Sequence, residues 1–501
     1  MTHILKHLGA AALALIAATA SAQTFTRYTS TDGDCWRESS ISAAEQAEGT
    51  PILSVIGDES FMTFKGWGTC FNELGWDALQ VLPEEKQDEL LKRIFSPDGD
   101  LKYTHGRLSL GANDYARNWY SASEVAGDFD LMYFDMTRDK STLVPYIHAA
   151  QKHNPDLWFW CSPWSPPAWM KINQDYPVQS SRYNKMDSRI NYLLHRKSDR
   201  QIRRDKFPDW LAGEDFMIQD PRYLRTYADY FCRYIDEYAK LGIPIRRVMY
   251  QNEAYSYTPY PGCPWTPHGA ALFNAEYLAP ALKEKCPGVE LYLGTFNTNR
   301  FEEVDGILSD DVMKGKDIFI GLGFQWEGSQ IIPQVRNKYP HLKVVQTESE
   351  CGSGTFDWRA AEHTFGIIND YLGKGCEEYT FWNVILCDRG ESAWGWRQNA
   401  LIRVDSRTKT AILTPEYYAV KHYSHFVTAG TKLLGAFGGR TEETPVMVFK
   451  NPAGKYVIVA GNRANTEHRL TLKLDGKYLE TALAPHSMQT FVEGGDAAAT
   501  K

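Results

Sequence analysis

Hydrophobic and polar positions alternate between two patterns along most of the chain. Short runs rich in apolar and β-branched residues recur, and longer stretches with helical spacing of apolar positions lie between them. This succession is typical of βα units, which build a parallel sheet. Eight such runs, which we expect to be strands, cover residues 64–68, 103–110, 157–164, 247–253, 289–296, 318–326, 343–348 and 379–386.

The stretches between these runs predict amphipathic helices. Clear examples are residues 83–95, 141–153, 221–241 and 360–372, where apolar positions recur every three to four residues. Eight strands with intervening helices predict an α/β fold of the (β/α)8 TIM barrel type. In that fold the carboxyl ends of the strands carry the active site.

The pattern changes near residue 429 to short alternating segments, at 444–449, 456–461, 469–474 and 487–491, which are separated by Gly, Asn and Pro. Such segments are typical of a small antiparallel β-domain. Residues 25–28 and 52–55 show the same alternation and are candidates to join it. We therefore predict a leader at 1–22, N-terminal strands at 23–60, a barrel at 61–428 and a C-terminal β-domain at 429–495.

The first residues resemble an export signal. A weakly basic start containing Lys6 precedes the apolar stretch 8–18, and small residues ending at Ala22 form a cleavage site. The apolar stretch is shorter than the roughly 20 residues that a membrane-spanning helix needs. We therefore expect an exported protein, periplasmic or secreted, that begins near Gln23 and keeps no integral membrane segment.

The amino-acid composition limits the kinds of molecule that this protein is expected to bind. The formal net charge is −8 and no long basic run occurs, which argues against nucleic acid. The nine cysteines are scattered without a CxxC pair, and the histidines show no metal-ligand spacing, so we expect neither a metal nor a cofactor. Aromatic residues make up 13% of the chain, and their flat faces suit sugar rings, although large cores also use them.

Two predicted strands end in carboxylates. The run 247–253 ends in Asn252 and Glu253, and the run 343–348 ends in Glu348. Counted in order these are strands four and seven, which lie nearly opposite each other in a barrel. A glycosidase needs two such carboxyl groups, and a separation of about 5–5.5 Å gives retention of configuration. We expect Glu253 to donate the proton and Glu348 to be the nucleophile.

Two neighbours bear on this assignment. Arg107, at the end of the second predicted strand, is the candidate cation that keeps the nucleophile ionised. Glu350 is an alternative nucleophile, because it lies two residues beyond Glu348 and shares its face if the strand continues. The sequence favours Glu348, which directly ends the apolar run.

Residues 162–171, SPWSPPAWMK, are similar to a signature of glycoside hydrolase family 30, the glucosylceramidase-like family. The resemblance covers nearly the whole chain after the leader. Further segments that fit the family in the right order are 66–68, 107–115, 129–134, 381–383, 394–399, 415–418 and 422–426.

The resemblance implies a (β/α)8 barrel with a side β-sandwich built from both termini. It also implies a retaining mechanism with Glu253 as acid/base and Glu348 as nucleophile. The chain departs from the family pattern at Ala254, where Pro is common, and around the nucleophile, which reads TESEC at 347–351. The implied sugar contacts in the cleaved subsite are Asp114, Trp164, Asn252 and Trp382, with Trp396 among looser candidates for further subsites, as are Trp67, Trp326, Trp394, Tyr255 and Tyr257.

We therefore expect an exported retaining β-glycosidase that acts on a carbohydrate, either a β-linked glycoside or an oligo- or polysaccharide. The alternative is a catalytically inactive barrel that binds glycans. A barrel lyase or aldolase would need a Schiff-base lysine or a metal cluster, and the sequence shows neither. The long loop at 171–217 decides between exo action, if it closes the cleft, and endo action, if the groove is open.

Overall fold

The computed structural model describes residues 23–49, 51–184, 186 and 215–494. The leader at 1–22 and much of the loop 171–217 lie outside the described residues. An eight-stranded parallel sheet and a nine-stranded sheet account for most of the strands. The predicted fold class, a (β/α)8 barrel with a side β-sandwich from both termini, is confirmed.

The strands in chain order are β1 Thr24–Thr31, β2 Asp34–Ser42, β3 Ile52–Thr63, β4 Gly66–Cys70, β5 His105–Ser109, β6 Trp158–Ser162, β7 Ile245–Met249, β8 Glu290–Phe296, β9 Gly321–Gln325, β10 Lys343–Glu348, β11 Glu378–Phe381, β12 Ile385–Cys387, β13 Ile402–Asp405, β14 Thr410–Leu413, β15 Lys432–Phe437, β16 Val446–Lys450, β17 Tyr456–Asn462, β18 His468–Leu474, β19 Lys477–Leu483 and β20 Ser487–Glu493.

The α-helices are α1 Glu73–Gln80, α2 Glu84–Phe95, α3 Thr137–Ser141, α4 Leu143–Gln151, α5 Pro221–Lys240, α6 Pro267–Phe273, α7 Ala279–Lys285, α8 Phe301–Leu308, α9 Ile332–Lys338, α10 Trp358–Gly373 and α11 Pro415–Ser424. Side chains cap several of them: Asp220 and Asp357 accept from the first-turn N–H groups of α5 and α10. In the described part of the chain, no helix has the length and apolar character to cross a membrane.

Strands β4 to β11 form the barrel, and each matches one of the eight predicted runs. Neighbouring strands pair in parallel from β11 through β4 to β10. Side chains help to join the two remaining edges: Gln346 accepts from the backbone N–H of Thr380 at 2.7 Å, and Ser349 from that of Trp382 at 3.2 Å. The strand that carries Glu348 is therefore held on both sides.

The barrel interior is layered. Arg247 and Glu378 form an ion pair near the amino ends of the strands, at 2.6 Å. A buried apolar cluster of Trp160, Met249, Tyr292 and Val345 comes next. The carboxyl ends hold the predicted catalytic residues.

The second sheet has the order β19-β18-β3-β15-β16-β17-β20-β1-β2. β19 also contacts β17 and β20, which are not its neighbours, so the sheet folds over on itself. Alternate residues of β16 pack into two different hydrophobic cores. Val446 and Val448 face the side domain's own core, whereas Met447 and Phe449 pack against the barrel. This alternation attaches the side domain firmly to the barrel.

Two predicted strands extend well beyond the observed ones at their carboxyl ends. β7 ends at Met249, and the chain then crosses to its neighbours, since Asn252 donates its backbone N–H to Pro163 and Glu253 to Thr295, at 2.7 and 3.2 Å. β11 ends at Phe381 before a separate short strand, β12. These strands leave the sheet where the functional loops begin. Strands β2, β12 to β15 and β19 are additions that the pattern did not predict.

Candidate active site

Arg107 is the centre of the polar network at the carboxyl ends of the barrel strands. It lies in the middle of β5 and is fully buried, with 0% of its surface exposed. Its Nη1 donates to Oε2 of Glu348 at 2.7 Å. Its Nη2 donates to Oδ1 of Asn252 at 2.7 Å and to Oγ of Ser162 at 3.0 Å. The predicted cation thus joins the predicted nucleophile to the amide beside the predicted acid.

Glu348 has a donor on each oxygen. Trp326 donates its indole N–H to Oε1 at 3.0 Å, opposite the Arg107 contact on Oε2. Burial raises the pKa of Glu348 above its usual range, and Arg107 and Trp326 both oppose that rise. These charge-assisted hydrogen bonds favour the carboxylate form, which a nucleophile needs.

Glu253 has the opposite environment. Among the described residues no cation pairs with Glu253 directly. Its Oε1 accepts a neutral amide N–H from Gln325 at 3.0 Å, and the neutral Ser256 side chain also hydrogen-bonds the carboxyl group. Burial raises the pKa of Glu253 to about 7, and the carboxylate of Glu348 adds to the rise. A carboxyl group with this pKa keeps its proton below neutral pH, as a general acid must.

One amide connects the two carboxyl groups. Gln325 donates from Nε2 to Glu253 and, at 3.2 Å, to Asn252, and it also hydrogen-bonds Glu348. Thr347 donates to its Oε1 at 2.9 Å, which turns the NH2 end toward the carboxyl groups. The shared contact places the two carboxyl groups near each other, which fits the short separation of a retaining pair.

Two residues of this centre have a left-handed backbone. Glu253 has φ of 48° and Trp326 has φ of 50°, a conformation that side-chain-bearing residues rarely adopt. Such outliers cluster at functional sites, where the surrounding structure fixes them. Glu253 is one member of the carboxyl pair, and Trp326 donates its indole N–H to the other, Glu348.

Asp114 lies in the same cluster. It is buried, and burial together with the Glu348 and Glu253 carboxylates raises its pKa well above the usual range. Its backbone carbonyl accepts the indole N–H of Trp394 at 3.0 Å. The structure therefore brings Asp114 beside the predicted catalytic pair, where its role in sugar binding stays a prediction.

Trp164 and Trp382 form one wall. Their rings stack with centroids 5.4 Å apart, and the Arg107 guanidinium lies 4.3 Å from the Trp164 centroid. Both are almost fully buried, so they hold Arg107 in place, and their predicted contacts with sugar remain predictions.

Trp396 lies on the outer rim and not with the carboxyl groups. It is partly exposed, 6.5 Å from Trp326 and 6.2 Å from Tyr260, between ring centroids. Trp394 adjoins it at 4.9 Å. Trp67 is different from these rim residues, because it is a core residue whose indole donates to the carbonyl of Val427.

The side chain of Glu350 points away from the carboxyl pair of Glu253 and Glu348. Its carboxylate accepts from His363 at 2.9 Å on the side of α10, and its side chain is 32% exposed. Of the two alternatives, the structure brings Glu348 together with Glu253.

The sequence interpretation missed the supporting residues. Thr295 donates to Asn252 at 3.1 Å, and Asn297 donates to Ser256, which hydrogen-bonds Glu253. Gln325 was identifiable only as a polar residue at the end of a predicted strand. Among the described residues, no group of three or more His, Cys, Asp or Glu is arranged to hold a metal ion.

A carboxyl group that keeps its proton near neutral pH, next to one that is ion-paired, suits acid-assisted cleavage of a glycosidic bond. The barrel and this pair together define the class: a barrel glycoside hydrolase. Residues 64–190 and 211–427 match the glycosyl hydrolase family 30 TIM-barrel domain, and residues 439–491 match the family's beta sandwich domain. The chain belongs to glycosyl hydrolase family 30, and the predictions of family and of glycoside hydrolase class are confirmed.

Individual proteins are similar over most of their length. Lysosomal acid glucosylceramidase of Mus musculus is 25% identical, with 94% of this chain and 89% of the relative covered. Endo-1,6-beta-D-glucanase neg1 of Aspergillus fumigatus is 23% identical, with 97% and 98% covered. The crystal structure of SrfJ from Salmonella typhimurium has the same fold, with a TM-score of 0.79, 20% identity, and 94% of this chain and 99% of that chain covered.

Proposed function

We propose that this protein is an exported, retaining β-glycoside hydrolase that cleaves β-linked glucosides, with Glu253 as acid/base and Glu348 as nucleophile. One observation carries the assignment: two carboxyl groups share the Gln325 amide, and among the described residues a cation pairs with Glu348 but none with Glu253. This difference gives one residue the proton and the other the negative charge.

In the first step a Glu348 carboxylate oxygen attacks the anomeric carbon of the sugar. Glu253 gives its proton to the glycosidic oxygen as the bond to the leaving group breaks. The products are a glycosyl ester on Glu348, a free alcohol, and an ionised Glu253. Formation of the ester removes the Glu348 charge, which is the main neighbouring charge that raises the pKa of Glu253.

In the second step the ionised Glu253 takes a proton from water, and the water oxygen attacks the same anomeric carbon. The ester bond to Glu348 breaks, the carboxylate is restored, and Glu253 is protonated again. Two inversions give net retention. Arg107 and Trp326, on separate oxygens of Glu348, stabilise the departing carboxylate.

The proposed sugar comes from the relatives. The names of the mouse and fungal relatives, glucosylceramidase and endo-1,6-beta-D-glucanase, share glucose as the sugar. Asp114 and Asn252 lie beside the carboxyl pair and are suited to bind sugar hydroxyl groups. The proposal therefore places a glucosyl unit between Glu253 and Glu348.

The test is a substrate screen of the chain beginning at Gln23. Aryl β-glucoside, xyloside, galactoside and fucoside are compared with β-1,6-glucan and xylan, and proton NMR follows the anomer released first. We expect the aryl β-glucoside to be cleaved with the β-anomer appearing first. Initial release of the α-anomer contradicts the retaining mechanism, and sugar binding without turnover supports an inactive glycan-binding barrel instead.

Export has its own test. The leader-like residues 1–22 support cleavage after Ala22. N-terminal sequencing of protein recovered from a bacterial host's periplasm or medium should begin at Gln23. Retention of the intact N-terminus in the host cytoplasm contradicts export.

A further inference from the structure

Two cysteines meet among the helices on the outside of the barrel. Cys232 lies on α5, and Cys286 directly follows α7, 54 positions later in the chain. Sγ of Cys286 lies 3.8 Å from the backbone carbonyl oxygen of Cys232, and the two thiols hydrogen-bond each other. Both are free thiols in the structure, and both are buried. Their sulfur atoms are therefore close enough for a change of side-chain rotamer to join them.

The two helices are held together beside the cysteines. Lys285, the last residue of α7, donates to the Asp229 carboxylate on α5 at 2.6 Å. Cys232 and Cys286 also belong to the main hydrophobic core of the barrel, which fixes the backbone on both sides. A bond between side chains that are already held in contact adds little strain to the folded protein.

A surface groove opens onto one of the two cysteines. The groove has a volume of about 680 Å³, and its lining includes Leu282, Cys286 and Val289. Cys232 does not line it and lies behind Cys286. A small disulfide-bearing oxidant can therefore reach the sulfur of Cys286 first.

The surroundings also favour Cys286 as the attacking thiol. The hydrogen bond from the Cys232 thiol lowers the pKa of Cys286 below its ordinary value, and the Lys285 ammonium group adds to this effect. Burial and the Asp236 carboxylate oppose the lowering of the pKa. The thiolate is the form that attacks a disulfide, so Cys286 is suited to begin an exchange that Cys232 completes.

We propose that Cys232 and Cys286 form a disulfide bond in the exported protein, which fastens α5 to the end of α7. The inference rests on the proposed export, because disulfides persist in oxidising compartments and thiols stay reduced in the cytoplasm. The bond closes the segment 232–286, which contains β7 and Glu253. It therefore restrains the part of the barrel that carries the proposed acid/base.

The reaction is a thiol–disulfide exchange with a disulfide-bearing oxidant, such as glutathione disulfide or a disulfide oxidoreductase. The Cys286 thiolate attacks one sulfur of the oxidant, whose disulfide bond breaks and whose other sulfur leaves and takes up a proton. Cys232 then loses its proton and attacks Sγ of Cys286, and the second sulfur of the oxidant leaves as a thiol. The protein loses two electrons and two protons, and the oxidant gains them as two thiols.

The first test maps the bond in the chain that begins at Gln23. The reduced protein is incubated with excess glutathione disulfide, free thiols are blocked with N-ethylmaleimide, and a non-reduced tryptic digest is analysed by mass spectrometry. We expect peptides 226–233 and 286–300 to appear as one cross-linked species. Blocked thiols or glutathione adducts in place of the cross-link overturn the inference. So does a bond between Cys286 and Cys161, the core cysteine of β6 whose thiol lies near it.

The second test measures the melting temperature before and after the same incubation. The oxidised wild-type protein should melt about 3–8 °C higher than the reduced one, because the cross-link restricts the unfolded chain. Cys232→Ala and Cys286→Ala should each lose this difference, whatever their own melting temperatures are. Cys35→Ser removes a half-buried thiol of the side domain and should keep the difference. A wild-type protein without the difference, or an alanine variant that keeps it, overturns the inference.

Neither measurement needs a substrate, so their failure is distinct from failure of the proposed glycosidase activity. Export enters through one further sample, which is protein recovered from a bacterial host's periplasm and blocked with N-ethylmaleimide at once. Chains that begin at Gln23 should carry the cross-link, and free thiols at Cys232 and Cys286 in these chains would overturn the inference. Chains that keep the leader and stay in the cytoplasm would contradict export instead, and the incubation with glutathione disulfide then decides whether the two cysteines pair.

Discussion

The barrel contains two buried arginine–glutamate pairs, one at each end. Arg247 and Glu378 meet at 2.6 Å near the amino ends of the strands, and Arg107 and Glu348 meet at 2.7 Å at the carboxyl ends. The chemical groups, the distance and the burial are nearly the same. The surroundings differ.

At the amino end Arg247 satisfies both oxygens of Glu378, at 2.6 and 3.1 Å, and its guanidinium lies 3.9 Å from the ring centroid of Tyr292. Burial alone would raise the pKa of Glu378, but Arg247 offsets this and leaves the pKa below its usual value. At the carboxyl end Arg107 satisfies one oxygen of Glu348, and Glu253 lies nearby. Adding a second carboxyl group turns a structural pair into a candidate catalytic one.

The largest expected effect comes from Glu348→Gln. Without the nucleophile, kcat should fall by about 10⁴-fold or more, since no glycosyl ester can form. Steady-state hydrolysis of an aryl glycoside measures it. Glu350→Gln is the matched control and should stay within about twofold of wild type, a surface substitution being nearly neutral. An inactive Glu350→Gln with an active Glu348→Gln would reverse the assignment.

Glu253→Gln should have the next largest effect. Loss of the general acid should slow natural glycosides by about 10²–10⁴-fold, and aryl glycosides with good leaving groups much less, because such groups need little protonation. Equal losses on both kinds of substrate would contradict the role of Glu253.

The same carboxyl group sets a pH limit. Glu253 must be protonated and its pKa is about 7, so wild-type kcat/KM should decline as the pH rises through about 7. The Glu253→Gln enzyme should lack this decline when assayed on an activated aryl glycoside. An unchanged alkaline limb in the variant would assign it to another group.

Glu378→Gln tests whether the arginine–glutamate pair at the amino ends of the strands is structural. It leaves Arg247 buried without its main partner and should lower the free energy of unfolding by about 3–5 kcal/mol, while kcat/KM of the folded enzyme stays near wild type. Glu290 also pairs with Arg247, at 3.2 Å, but is 39% exposed. Glu290→Gln should therefore cost less than about 1 kcal/mol. Denaturant unfolding measures both, and a large activity loss with normal stability would refute the structural role.

Trp326→Phe should have the smallest effect. It keeps an aromatic ring and removes one hydrogen bond to a charged oxygen, an interaction of about 1.5–3 kcal/mol, so kcat/KM should fall by about 10- to 100-fold. The pKa of Glu348 should rise without this donor, which moves the acidic limb of the pH profile to higher pH. Loss of activity without that movement would mean that Trp326 acts only by packing.

The sequence predicted the eight barrel strands because each is a short apolar run, and it predicted the carboxyl pair because Glu253 and Glu348 follow two of them. It left Glu350 open because side chains two apart share a face only while a strand continues. β10 ends at Glu348, and the chain then turns Glu350 toward α10. The spacing of Glu348 and Glu350 in the sequence does not indicate that the chain turns between them.

The hydrogen bonds that support the carboxyl pair could not be predicted from the sequence, for a related reason. Thr295 and Gln325 reach Asn252 and Glu253 because β7 ends early and its loop crosses to β8 and β9. Such contacts depend on the register between strands. The side domain's β15 and β19 were missed because neither alternates strictly. Gly435 interrupts β15, and Glu480 and Thr481 are two consecutive polar residues within β19.

The most direct test of the central claim is to trap the glycosyl enzyme. An activated 2-deoxy-2-fluoro β-glycoside of the hydrolysed sugar forms the ester but releases it slowly, and peptide mass spectrometry then locates the label. The account predicts one sugar per chain, attached to Glu348. A label on Glu350 or Glu253, or rapid turnover with no labelled peptide, would contradict it.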